Sequence, residues 1–169
     1  MKNVMRHLAA AGLLALAAGG AAAATTVNFI QPDRFSDVPF TPWERDEALK
    51  TLSTHFSKLG AELPPGQNLR IDVKDIDLAG REYPGRNGRD LRVVRSNGAD
   101  WPRIDLHYTV EQDGKVLRSG DAELRDMGFM DRMVRMNDSE SLRFEKRMIE
   151  DWFYTEILPR DRSERSVRR

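Results

Sequence analysis

Chemistry in this chain must be built from few reagents, because it has no cysteine and, past the first 24 residues, its histidines are His55 and His107. A serine nucleophile needs a histidine and a carboxylate beside it. By spacing, the best carboxylates are Asp75 and Asp77 in "IDVKDIDL", a pair that together with His107 makes the one hydrolase the residues suggest. The same two aspartates flank Ile76 in a strand, and a calcium loop draws ligands from more positions, so solvated aspartates are the simpler reading. His55 sits at the edge of a helix's apolar face and His107 points away from the core. No spacing of the HExxH kind occurs, so neither a metal nor a cofactor is expected.

Two other features invite a role. "AGREYPGRNGR" carries three glycines that let the backbone curve around an anion, with Arg81, Arg86 and Arg89 to supply charge. "RFEKRMIEDWF" is an amphipathic helix with one carboxylate, Glu145, inside its apolar stripe of Leu142, Met148, Ile149, Trp152 and Phe153. A carboxylate driven into an apolar contact needs a partner or keeps its proton. The cation expected opposite it is Arg118, with Arg45 as the alternative, giving a structural ion pair that fixes how the last helix docks.

The elements that position these groups follow from periodicity. "TTVNFI" reads as a strand. Thr41 as N-cap, Pro42 at the first helical position and Glu44 as the reciprocal partner of a capping box open a helix that runs to Gly60, with Ala48, Leu49, Leu52, Phe56 and Leu59 on one face. Leu69, Ile71 and Val73 alternate, then Ile76 and Leu78 slip by one residue, which places a β-bulge near Lys74 and Asp75. "LRVV" is a short strand, and strands from Trp101 to Glu111 and on to about Leu124 form a hairpin. A two-residue turn would put Ser119 and Asp121 on the apolar face, so a three-residue turn over Gln112 to Gly114 is expected, with Tyr108 opposite Arg118. The segment 125–137, with Met127, Met130, Met133 and Met136, fits helix or strand, and its methionines read as core filler ahead of a peptide groove or a soft metal site. The last helix runs from near Ser139 to Pro159. The order β-α-β-β-β-β-α predicts an α+β fold: an antiparallel-rich sheet of about five strands with two helices packed on one face.

Residues 1–24 have the anatomy of a cleaved export signal, with basic Lys2 and Arg6, the apolar "LAAAGLLALAA" and a small-residue site before Thr25. The apolar run is too short to span a bilayer, so the mature chain is not expected to cross a membrane. Removing 24 of 169 residues leaves 145, enough for one domain over 25–158, followed by a disordered basic tail over 159–169 with five arginines. The balance of 27 basic and 27 acidic residues argues against nucleic acid, which requires a concentrated basic face.

"IDVKDIDLAGR", "WPRIDLHYTVEQDGKVLRSGDAEL" and "LRFEKRMIEDWF", spaced as they are behind an export signal, resemble a bacterial secreted family, DUF3016, a domain of unknown function. The resemblance implies a periplasmic cell-envelope protein in a Gram-negative bacterium and hands over no activity. A non-enzymatic binding or accessory module is therefore expected, with an envelope protein or an anionic envelope component as partner. A small hydrolase using Asp75, Asp77 and His107 is the alternative.

Overall fold

Ile71, Val73, Ile76 and Leu106 are almost wholly removed from solvent, and they lie side by side on one face of a twisted sheet. The structure, a computed structural model, describes residues 23–85, 91–95, 100–131 and 141–159. The leader to residue 22, Arg86, Arg89, Met133, Met136, Ser139 and the tail from residue 160 lie outside the described residues.

Four strands form the main sheet: β1 (Thr25–Phe29), β2 (Gln67–Asp77), β5 (Arg103–Gln112) and β6 (Lys115–Arg125), in the spatial order β1-β2-β5-β6. β1 and β2 are parallel because helix α1 (Pro42–Gly60) carries the chain back across the sheet between them, while the other pairings are antiparallel. Leu49, Leu52, Phe56 and Leu59 of α1 pack on the same apolar face as Met148 and Ile149 of helix α2 (Arg143–Trp152) and Phe153 and Ile157 of the π-helical turn that extends it. Each such side chain, fully buried, stabilises the fold by about 1.5–3 kcal/mol, and with no cysteine in the chain the fold rests on this packing. Thr41 is the N-cap of α1, but its side chain makes no capping hydrogen bond, so the expected reciprocal capping box does not form. Gly60 closes α1 for a steric reason, since a Cβ there would run into Thr25 Oγ1 of β1.

The expected bulge is present, with the register shifting between Val73 and Asp75. Two expectations are corrected. The hairpin turns through two residues, Asp113 (φ 52°) and Gly114 (φ 74°), both left-handed as a type I′ turn requires. The extra residue needed to keep polar side chains off the apolar face enters as a bulge at Leu117, and beyond it Tyr108 faces Gly120 while Val110 faces Arg118. The fifth strand is also absent from the main sheet: β3 (Arg81–Tyr83) and β4 (Leu91–Val93) form a separate two-stranded ribbon. Gly80, at φ +82°, turns the chain out of the sheet after Leu78, and any side chain there would strike the Val93 carbonyl.

Residues 126–131 form turns, neither helix nor strand. Met127 and Met130 are exposed and do not fill the core; Phe129 instead stacks edge-on against Phe144 at 4.9 Å in a second small cluster with Ala79. Helix α2 starts at Arg143, and its polar side is less solvated than its sequence suggests. Lys146 is buried beside α1, and Arg147, under the segment that follows β6, donates to Asp126 Oδ2 (3.0 Å) and the Phe129 carbonyl (2.6 Å).

Candidate functional site

Glu145 faces inward, with 2% of its surface exposed, as the helical wheel requires. Its partner is not a cation on the hairpin. Glu145 Oε1 accepts the Ala79 N–H at 2.7 Å, its own backbone N–H adds a second donor, and the positive charge of Arg92 and Lys146 lies nearby. Glu145 belongs to the first turn of α2, where unpaired N–H groups already favour a negative charge. Burial is nevertheless the strongest influence and pushes its carboxyl above the ordinary glutamate range.

The expected Glu145–Arg118 pair is therefore corrected. α2 lies with its N-terminal turn against Ala79, and the π-helical turn that extends it ends at Arg118, which stands opposite Val110. Arg118 does point to the helix side of the sheet, but there it donates to the carbonyls of Glu156 and Ile157 (3.2 Å to the latter), satisfying the end of the last helix. At about 1.5 Å of rise per residue, the two ends of that helix are too far apart for one side chain to serve both. Arg45 is engaged elsewhere, with Asp33 at 2.7 Å.

The root of the ribbon forms a cleft of about 620 Å³ lined by Ser36, Asp37, Asp77, Arg81, Asp100 and Arg103, among others. Asp37 is fixed by backbone bonds to the end of β2 and holds Arg92 in a two-pronged pair at 2.8 and 3.1 Å. Arg92 also donates to the Gly80 carbonyl at 3.3 Å, which ties β4 to the turn that launches the ribbon. Arg81 donates through Nε to Asp100 at 2.8 Å, and Arg103 is bonded to Asp77, through Nε at 3.1 Å. Of the proposed anion loop, Arg81 thus stands at the cleft, while Arg86 and Arg89 lie outside the described residues. Asp37 and Arg92 carried no sequence signal, because their pairing needs the ribbon to fold back on the sheet.

The alternative catalytic trio is not assembled. Asp75 accepts the N–H and hydroxyl of Ser36 at 2.7 and 2.6 Å, Asp77 holds Arg103, and His107 is on the sheet's outer face. There His107 is the cross-strand partner of Asp121 and lies between Asp121 and Ser119, with Nδ1 2.9 Å from Asp121 Oδ1 and Nε2 3.0 Å from Ser119 Oγ. Lys74 contacts the same Asp121 oxygen at 2.6 Å. That hydrogen bond, followed by the one from His107, holds the Asp121 carboxyl below the usual aspartate range. His55 is a bridge between helices, its Nε2 3.0 Å from the Lys146 carbonyl and 3.5 Å from Glu150 Oε1. No group of three or more metal-ligating side chains is found among the described residues.

The architecture is α+β, a four-stranded mixed sheet under two helices with a two-stranded ribbon at one end. The chain belongs to the family described as "Protein of unknown function (DUF3016)", which matches residues 23–155. Neither the curated proteins nor the solved structures give a match.

Proposed function

We propose that the protein is an exported binding module of the Gram-negative periplasm, whose cleft at the root of the ribbon takes an anionic sugar of the cell envelope without catalysing its conversion. The observation that carries the reading is the alternation of arginines and carboxylates around the cleft. Asp37, Asp77 and Asp100 are each committed to an arginine, which leaves them poor candidates for general acid or base. Arg81 uses one N–H for Asp100 and keeps the rest of its fork without a partner among the described residues, with its side chain 68% exposed. Such a fork matches a carboxylate in two bonds. Sugar hydroxyls both donate and accept, so they are met by a surface that offers both signs, whereas a lipid phosphate needs donors alone. Trp101 in the wall supplies flat apolar surface for a sugar ring.

Export is supported by the basic and apolar leader, and among the described residues no helix is long and apolar enough to cross a membrane. The test is calorimetric titration of the purified mature protein with a short oligomer of glucuronic acid. Saturable binding that weakens at least about tenfold in Arg81→Ala is expected, since one charge-assisted hydrogen bond contributes about 1.5–3 kcal/mol. Binding that Arg81→Ala does not touch removes the cleft from the reading. Binding to anionic phospholipid vesicles in place of the sugar moves the ligand to a lipid phosphate.

A further inference from the structure

The outer face of the sheet holds a constellation that the cleft does not use. Ser119 and Asp121 are two residues apart on β6 and so project from the same face, and His107 on β5 stands directly across from Asp121. In the neutral imidazole, Nδ1–H donated to Asp121 at 2.9 Å selects the tautomer in which Nε2 is an acceptor, and that nitrogen is 3.0 Å from Ser119 Oγ. Lys74, 2.6 Å from the same Asp121 oxygen, keeps the carboxylate ionised and oriented. The Ser119 hydroxyl has a second acceptor in the Tyr108 carbonyl at 3.0 Å, and Thr109 Oγ1 lies 3.1 Å from it.

We propose that Ser119, His107 and Asp121 form a nucleophilic triad that transfers an acyl group from an ester to water. Ser119 Oγ adds to the ester carbonyl carbon while its proton passes to His107 Nε2. The tetrahedral adduct collapses, the bond from carbon to the leaving alcohol breaks, and the alcohol oxygen takes the proton from Nε2. Water then attacks the acyl-serine by the same route, giving its proton to Nε2, and the carboxylic acid leaves as Ser119 regains its hydrogen. Asp121 holds the imidazolium that forms in each half. The Thr109 hydroxyl lies next to the nucleophile, 3.1 Å from Ser119 Oγ.

The site stands on a strand pair open to water, with the Asp121 side chain 69% exposed and that of His107 38% exposed. A flat face of this kind does not enclose a small substrate. It suits an ester displayed on an extended chain or on another surface, and its rate enhancement is modest because water is not excluded.

A polar cross-strand network with a purely structural role gives the same distances, so the test must read reactivity at Ser119. The purified mature protein is treated with a fluorophosphonate probe, which forms an O–P bond to an activated serine with loss of fluoride, and the adduct is located by mass spectrometry of peptides. Labelling of Ser119 is expected, slowed roughly hundredfold in His107→Gln, the lower end of what a positioned general base contributes. Both proteins should unfold at the same temperature, which separates lost chemistry from lost structure. No adduct on Ser119 in the folded wild type overturns the proposal. So does labelling of Ser119 that is as fast in His107→Gln as in the wild type.

Discussion

The root of the ribbon and the outer face of the sheet both gather acids and bases, but they satisfy them in opposite ways. At the ribbon root, Glu145 is sealed from water and held by the Ala79 backbone N–H, and Arg92 is gripped through both terminal nitrogens. On the outer face, Asp121, His107 and Ser119 bond side chain to side chain in solvent. A buried polar group without its partner keeps the full desolvation penalty, whereas an exposed one regains water. The buried contacts of Glu145 and Arg92 therefore fix structure, while the outer face is free to exchange protons and partners.

The largest expected effect follows at once. Glu145→Ala leaves the Ala79 N–H without an acceptor inside the protein, so a loss of about 1–3 kcal/mol is expected in urea unfolding. An unchanged midpoint would mean that the root of the ribbon opens to water. Glu145→Gln keeps an acceptor oxygen and removes the titration. Because burial raises the Glu145 pKa above its ordinary 4.5, the folded state holds the proton more tightly than the unfolded chain. The sign is fixed by that inequality: the contribution is full below about pH 4.5 and is lost as pH rises through the folded value. Wild type should lose stability relative to Glu145→Gln from pH 4.5 upward, and a gap that stays constant between pH 4 and pH 8 would contradict the burial argument.

Arg118 shows where reading a sequence stops. The slip between Val73 and Ile76 made the bulge in β2 visible, because a period of two cannot shift without an inserted residue. The hairpin obeyed the same parity rule, so Arg118 was correctly turned toward the helices. Parity says that one residue must be added between Val110 and Val116 or just beyond, but not whether the turn or a bulge takes it; Asp113 and Gly114 prefer the type I′ turn, which pushed the insertion to Leu117. Which end of α2 meets Arg118 depends on the direction in which the helix docks, a long-range choice with no local signature. The ribbon was hidden likewise, since "LRVV" has strand character whichever strand it pairs with. The same parity turns Ser119 and Asp121 outward, but which of them faces His107 depends on the exact register. Arg118→Ala is expected to cost about 1 kcal/mol, by uncovering the carbonyls of Glu156 and Ile157, and to fray the last helical turn in amide exchange. Equal exchange protection in the variant would assign those carbonyls to solvent.

The smallest effect on stability is expected at Asp121, and it is the most informative about chemistry. Hydrogen bonds from Lys74 and then His107 lower its pKa from 3.8, so the folded state releases that proton more readily than the unfolded chain. Its contribution is therefore present above pH 3.8 and lost as pH falls through the folded value, opposite in direction to Glu145. Exposure to water makes that contribution small, and Asp121→Asn should leave the unfolding midpoint at neutral pH unchanged. The imidazole should respond more strongly. With a carboxylate at Nδ1, His107 is held as the Nδ1–H tautomer with Nε2 facing Ser119. An asparagine offers that nitrogen an NH2 as readily as an oxygen, so the Nε2–H tautomer gains population and Ser119 loses its base. Nitrogen-15 shifts of His107 should show one dominant tautomer in the wild type and a mixture in Asp121→Asn, with fluorophosphonate labelling of Ser119 falling in proportion. A wild type that already shows the mixture would reduce the outer face to a solvated polar network, and the contrast with the ribbon root would then be one of burial alone.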